Sequence, residues 1–305
     1  MKLYFSILHY KDDGVTARCV RSLLAAKKQV SAFVELVVID NGSMNGSLER
    51  LKDEFASEEG IYWIESPDNL GFARGNNLAF TFIKQRGDAD VAVFLNNDTE
   101  ITQKGFIDSL CDEIQKRPFD VLAIDVYDPY ARQHQSPLCL GGDIERYAKE
   151  ERARAKAIVS MGAMHRFLAD IKCLASKLFF DFPGFQDSLR NRISSYSKNS
   201  DWKFPRNDVV PQGACVIYGK NCINVLDFAF YPRTHMYFEE CILKTICDKE
   251  GLKVRYSPSI QVLHHHHEVR TRENLNKHLY DAQLQRAKKE LEAYEELAEL
   301  AGWGA

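Results

Sequence analysis

Three carboxylates and a run of imidazoles have the types and spacing that chemistry needs. In VFLNNDTEI (residues 93–101) an apolar run ends at Leu95 and gives way at once to Asn96, Asn97 and Asp98. Such an oxygen-rich corner suits Mg2+ or Mn2+, hard cations that take few protein carboxylates and share the rest of their shell with substrate phosphates. The same residues also make ordinary turns. FEEC (238–241) sets Glu239 beside Glu240 at the start of a helical pattern. Adjacent helical residues point about 100° apart, so one carboxylate can face a cleft as general base while the other braces it. The alternative is two solvated acids favoured by the positive end of the helix. HHHH (264–267) closes a strand-like run, in which alternate imidazoles face opposite sides. Four therefore cannot share one ion; His264 is expected as a single ligand and the other three as polar surface.

Two further stretches suit an anionic or nucleotide ligand. Asp40 closes VELVVID and is followed by Asn41, Gly42 and Ser43. A carboxylate and amide at a strand end can hydrogen-bond a base or ribose, and equally form an Asn-Gly turn with a helix cap behind it. NLGFARGNN (69–77) brings together Gly71, Arg74, Gly75 and three asparagines. It could cradle a pyrophosphate through backbone amides and the guanidinium, or simply turn and cap a helix. Neither GxGxxG nor GxxxxGK followed by Ser or Thr occurs, which argues against a dinucleotide fold and a P-loop.

The elements that must hold these groups alternate strand and helix over the first 125 residues. LYFSIL (3–8), VELVVID (34–40), IYWIES (61–66) and VAVFLNND (91–98) read as short apolar strands. Helical spacing fills 15–29, 47–56 and the segment before Val91, while PDNLGFARGNN (67–77) reads as a glycine-broken loop. The pattern predicts an α/β fold with a mainly parallel central sheet, whose ligands bind beyond the carboxyl ends of the strands. His9–Lys11 (with Tyr10), Asp40–Ser43 and Asn96–Asp98 then share one rim. Residues 146–206 differ, with thirteen Lys/Arg against six Asp/Glu and a helical apolar stripe at 164, 167, 168, 171, 174 and 178. Residues 207–268 return to mixed strand and helix. Residues 271–300 are helical, with a stripe through Tyr280, Leu284, Ala287, Leu291, Tyr294 and Ala298.

The totals set limits on this reading. A chain of 305 residues suffices for one large domain or two modest ones. A net charge of −3 gives no global reason for a nucleic-acid partner. Eight cysteines without a CxxC pair, and no secretory signal in MKLYFSILHY, point to reduced thiols in the cytoplasm. No run of 18 apolar residues occurs, so no membrane-spanning helix is expected.

Taken in order, ILHYKD, VVIDNGSMNGS, PDNLGFARGNN, FLNNDTEI, QGACVIYGK, FYPRTHMYFEECIL and YSPSIQVLHHH resemble the inverting family 2 glycosyltransferases of the GT-A fold. Among these the chain is most similar to rhamnosyltransferase-like enzymes of bacterial surface polysaccharide synthesis. The resemblance spans about 1–128 and 208–268. It implies a Rossmann-like sheet flanked by helices in a domain 1–268, comprising a donor half (1–128), a basic helical insertion (146–206) and an acceptor and catalytic half (207–268), followed by a helical tail (269–305). It implies a nucleotide diphosphate sugar donor, UDP- or dTDP-linked, and a saccharide or lipid-linked acceptor. Asp98 then stands as the metal carboxylate with His264 beside it, and Asp40 as the contact to the base. Asn69, Gly71, Arg74 and Asn76 line the donor; His9, Tyr10, Asn41, Asn96 and Asn97 complete its surroundings. Glu240 stands as general base, with Glu239 its neighbour. In the implied reaction Glu240 takes the proton of an acceptor hydroxyl, and that oxygen attacks the anomeric carbon from the face opposite the leaving group. The metal and Arg74 stabilise the departing diphosphate.

Three departures stand out. The family's DxD is here NND, its ED is EE, and the aspartate two residues after that pair is Ile242. The basic insertion reads as a helical lid, or as a surface for anionic headgroups or a lipid diphosphate, which would place the protein peripherally on the inner face of the plasma membrane. The tail, acidic in its last third, reads as a docking or dimerising helix. A nucleotidyltransferase would want a glycine-rich basic loop after the first strand, and HYKDDG does not supply one. A scaffold that binds nucleotide or carbohydrate without catalysis fits the reduced NND and the altered EE.

Overall fold

The computed structural model describes residues 1–28, 30, 32–161, 171, 201–266 and 279–303. Strand β1 (Lys2–His9) pairs in parallel with β2 (Phe33–Asn41) and with β4 (Val91–Asn96), and β3 (Ile61–Ser66) extends the parallel set beyond β2. The chain continues through β5 (Thr99–Glu100), β6 (Val121–Asp128), β7 (Gln133–His134), β8 (Cys139–Leu140), β9 (Arg206–Asn207), β10 (Val209–Val210), β11 (Cys215–Gly219) and β12 (Val254–His264). The sheet order is β3-β2-β1-β4-β11-β6-β12-β5, with β7 on β6 and β9 on β12; β8 and β10 pair separately. β11 runs antiparallel between β4 and β6, and β12 returns parallel to β6. The sheet is thus the expected mainly parallel one, interrupted centrally by β11, with short antiparallel pairings of β5, β7 and β9.

Both faces of that sheet are covered, which is why its strands read as near-continuous apolar runs. Along β1, Leu3, Phe5 and Ile7 pack against α1 (Asp13–Lys27), α2 (Ser47–Glu54) and α4 (Phe106–Lys116). Tyr4 turns to the other face, covered by α3 (Gly71–Arg86), α6 (Lys220–Val225) and α7 (Glu239–Lys249). A third apolar cluster forms where α5 (Ile144–Val159) and α8 (Leu279–Ala301) meet α7: Ile144 and Ala148 pack with Ile242, Ala293, Tyr294 and Leu297. The tail helix therefore docks on its own chain, and Ile242, fully buried, lies beneath it.

One expected boundary differs. GFARGNN is helix, not loop: α3 begins at Gly71, and the N–H of Gly71 donates to Asn69 Oδ1 at 2.9 Å. Two glycines in seven residues suggest a break, but tertiary packing overrides that weak propensity. In the insertion, α5 is described, while stripe positions 164, 167, 168, 174 and 178 lie outside the described residues.

Candidate functional site

Parallel register sets His9 opposite Asp40 and Leu8 opposite Asn96, so the ends of β1, β2 and β4 share one rim. His9 is wholly buried, its Nδ1 2.7 Å from Thr16 Oγ1 and its Nε2 2.8 Å from Ser47 Oγ. Burial holds its pKa below the usual imidazole range against the pull of Asp40. Its ring thus braces β1 against α1 and the start of α2. Tyr10 is exposed, with Lys11 Nζ 4.8 Å from its ring centre. Asp40 accepts from the N–H of Ser43 at 3.3 Å and from the Ser43 hydroxyl. A cleft of about 640 Å³ opens beside it, lined by Asp40, Ser43, Met44, Ser47, Glu65 and Ser66 among others.

The turn into α3 is held by amides. Asn41 Nδ2 donates to Asn69 Oδ1 and to Gly71 O, each at 3.2 Å, while its Oδ1 accepts from Leu70 N–H at 2.9 Å. Asn41 and Asn69 thereby shape the backbone that borders the rim. Gly71 sits at φ +80°, and a Cβ there would lie 2.6 Å from the carbonyl of His235. Arg74 is exposed on the first turn of α3, its Nε donating to Pro232 O at 2.8 Å. Asn76 donates back to Phe72 O. Asn77, not singled out from the sequence, donates to Phe230 O at 2.7 Å and accepts from Ala229 and Phe230 N–H at 2.9 and 3.0 Å. It ties α3 to the segment that runs into Glu239.

Beyond the rim, the β4–β5 turn meets the end of β12. The N–H of His265 donates to Asp98 O at 2.9 Å, and His264 Nε2 lies 3.3 Å from Asp98 Oδ1. Asp98, His264 and His266 each offer one ligand atom, all within 4.8 Å of one another. His265 faces the other way, its Nε2 2.8 Å from Glu100 Oε2. β12 ends at His264, and the chain just beyond it brings a second imidazole, His266, to the Asp98 side where the sequence led us to expect one. Burial pushes the Asp98 carboxyl up, but His264 and His266 more than offset this and leave it below its ordinary value. Asn97 donates to Thr16 Oγ1 at 3.0 Å, and the Asn96 N–H donates to Ala214 O at 3.0 Å.

Glu239 and Glu240 open α7. Tyr237 and Phe238, just before them, both have positive φ (82° and 59°), a costly backbone for non-glycine residues and one that clusters at functional sites. Glu239 is only 4% exposed, with no hydrogen-bond partner for Oε1. Burial, and then the neighbouring Glu240, push its carboxyl up to about 8. Glu240 accepts the N–H of Gly213 at 3.0 Å, and burial raises its pKa as well. A cavity of about 380 Å³ gathers Glu239, Glu240, His264, His266 and Asn96, with Arg286 of α8 on its wall. Gly213 is a second residue whose role the sequence did not disclose; a lone glycine in QGA carries no signal of its partner.

Residues 7–169 match the family described as Glycosyl transferase family 2. The chain belongs to that family. No curated protein matches it. Among solved structures, residues 1–349 of Staphylococcus aureus TarS align over 98% of this family 2 chain and 72% of that one, at 11% identity and a TM-score of 0.53, a likeness of fold. TarS in complex with UDP-GlcNAc aligns at 20% identity over 42% of this chain and 35% of that one, with a TM-score of 0.35. The mannosyltransferase PcManGT from Pyrobaculum calidifontis, in complex with GDP-Man and Mn2+, aligns at 10% identity over 100% of this chain and 76% of that one, with a TM-score of 0.49. The chain thus spans about a third of the length of the TarS complex it matches. Among the described residues, no helix is long and apolar enough to cross a membrane.

Proposed function

We propose that this family 2 protein is a metal-dependent, inverting glycosyltransferase that moves a hexosyl or deoxyhexosyl group from a UDP- or dTDP-linked donor to a saccharide or lipid-linked saccharide. The observation that carries the reading is a cavity lined by the paired carboxylates of α7 together with His264 and His266, with Asp98 beside those imidazoles. TarS, which shares the fold, has been crystallised with UDP-GlcNAc. A role in surface polysaccharide synthesis follows the family resemblance, peripheral membrane contact follows the basic composition of 146–206, and a homodimer follows the apolar stripe of the tail.

The donor set fits a divalent ion. His264 is 3% exposed and its Nε2 has no hydrogen-bond partner, a buried lone pair that costs free energy unless something binds it. Two imidazoles with one carboxylate favour Mn2+ over Mg2+, whose preference is for oxygen. When bound, the ion supplies positive charge against the diphosphate. Glu240 is the member of the acidic pair suited to act as base, because Glu239, raised to about 8, keeps its proton at neutral pH. The Gly213 N–H holds the Glu240 carboxylate in place, and its own upward shift makes it the stronger base. Arg74, exposed on the first turn of α3, would supply positive charge against that of the leaving group.

The test is a thermal-shift panel of UDP, dTDP, GDP and CDP, with and without Mn2+, on wild type and Asp98→Ala. A ligand at 100 times its Kd adds about 2.7 kcal/mol to folding stability. Stabilisation by one diphosphate that needs Mn2+ and vanishes in Asp98→Ala is expected. No stabilisation by any of the four would overturn the reading in favour of a scaffold without a working donor site.

A further inference from the structure

We infer that Gln135, oriented by Asp128, is a positioning residue that fixes His264 in the tautomer whose Nε2 lone pair faces Asp98. The inference rests on the metal-site reading above and concerns how the chain keeps that site open. Asp128 closes β6 and is fully buried; its carboxylate accepts the N–H of Ala131 at 2.8 Å and lies 3.4 Å from Gln135 Nε2. The NH2 end of the Gln135 amide faces it and donates. The carbonyl end, Oε1, then faces His264 Nδ1 at 2.6 Å. An amide oxygen only accepts, so Nδ1 must carry the hydrogen, and in the neutral imidazole Nε2 is left with its lone pair. The backbone supports the arrangement, because the N–H of Gln135 donates to Val126 O at 2.7 Å.

The alternative tautomer shows what this device prevents. With hydrogen on Nε2, His264 would donate across the 3.3 Å to Asp98 Oδ1, and ligand would be bonded to ligand. The observed chain of acceptors disfavours that tautomer of the neutral ring, which would set the Nδ1 lone pair against the Gln135 carbonyl. It leaves an imidazole lone pair and a carboxylate facing each other, an arrangement unfavourable by itself and favourable once a cation lies between them. Sequence spacing gives no hint of it, since Gln135 lies 129 residues from His264.

Three proteins test the inference: wild type, Gln135→Leu, which removes the acceptor, and Gln135→Glu, which keeps one. Long-range 1H–15N spectra without metal read the His264 tautomer, assigned through His264→Gln, and the free-ion EPR signal reads Mn2+ affinity. We expect an unprotonated Nε2 in wild type and in Gln135→Glu, and a protonated one in Gln135→Leu. Mn2+ affinity should fall at least about tenfold in Gln135→Leu and be largely kept in Gln135→Glu. A wild-type His264 already protonated at Nε2 overturns the inference without any variant having to fold. So does Gln135→Leu binding Mn2+ as wild type does. Wild type that shows the expected tautomer yet binds no Mn2+ overturns the metal-site reading instead, and the spectrum of Gln135→Leu then decides on Gln135 alone.

Discussion

Gly213→Ala separates the position of Glu240 from everything else in the site. A methyl group at residue 213 would lie 2.3 Å from Glu240 Oε1 and 3.1 Å from its Cδ, whereas ordinary contact begins near 3.4 Å. The carboxylate oxygen must therefore retreat by about 1 Å, the scale of misplacement that costs about 100-fold in rate. That corresponds to about 2.7 kcal/mol on the barrier. Gly213 does not use a positive φ, so alanine fits the backbone and the whole perturbation falls on the carboxylate. That group ends a flexible side chain bordering a cavity, so the fold should lose only about 1–2 kcal/mol. The assay is turnover of the sugar nucleotide selected by the binding panel, with nucleotide affinity in Mn2+ measured alongside. We expect kcat to fall about 100-fold with affinity within about threefold, and Glu240→Gln to fall further. Gly213→Ala turning over like wild type would refute the claim that Glu240 must stand where the Gly213 N–H holds it. Equal losses in kcat and nucleotide affinity would show that Gly213 shapes the donor site instead.

Glu239 provides a pH test. Its carboxyl moves from 4.5 to about 8 on folding, so between those values the unfolded chain has lost a proton that the folded chain keeps. Stability contributed by the neutral form falls as pH rises through that window. Glu239→Gln removes the titration, so its gain in Tm over wild type should be larger near pH 8 than near pH 4.5; a gain equal at both would count against a neutral Glu239. Asn77→Ala strips three hydrogen bonds from the backbone at 229–230, and denaturant unfolding should show a loss of about 2–4 kcal/mol. A loss under about 0.5 kcal/mol, the range of a bland surface change, would mean that the segment before Glu239 is held by other contacts.

The sheet and its rim were legible because the signals are local and redundant. VELVVID and VAVFLNND are runs that only a strand covered on both faces accommodates, and the polar residues that end them mark the carboxyl edge. What was not legible depends on pairs distant in sequence. Gly71 starts a helix because Asn69 and Asn41 satisfy the backbone there, and propensity cannot see such partners. His266 lies past the end of β12, where strand period no longer says which side a residue takes. His9 looked like a ligand contact at the rim, but Thr16 and Ser47 take both its nitrogens.

The departures from the family pattern are each answered by a neighbour. NND removes a carboxylate, and His266 adds a donor atom on the same side as His264 and Asp98. The Asn97 amide meanwhile goes to Thr16. EE lengthens the arm by one methylene, and Glu240 meets a residue without a side chain at 213, close enough to accept its N–H at 3.0 Å. Ile242 replaces an acid that would have no place beneath α8, where it packs with Ala293, Tyr294 and Leu297. Burying an unpaired charge there would cost far more than an isoleucine gains. Each altered residue taken alone reads as decay of a working site. Taken with what it touches, each has a partner in the fold that accommodates it.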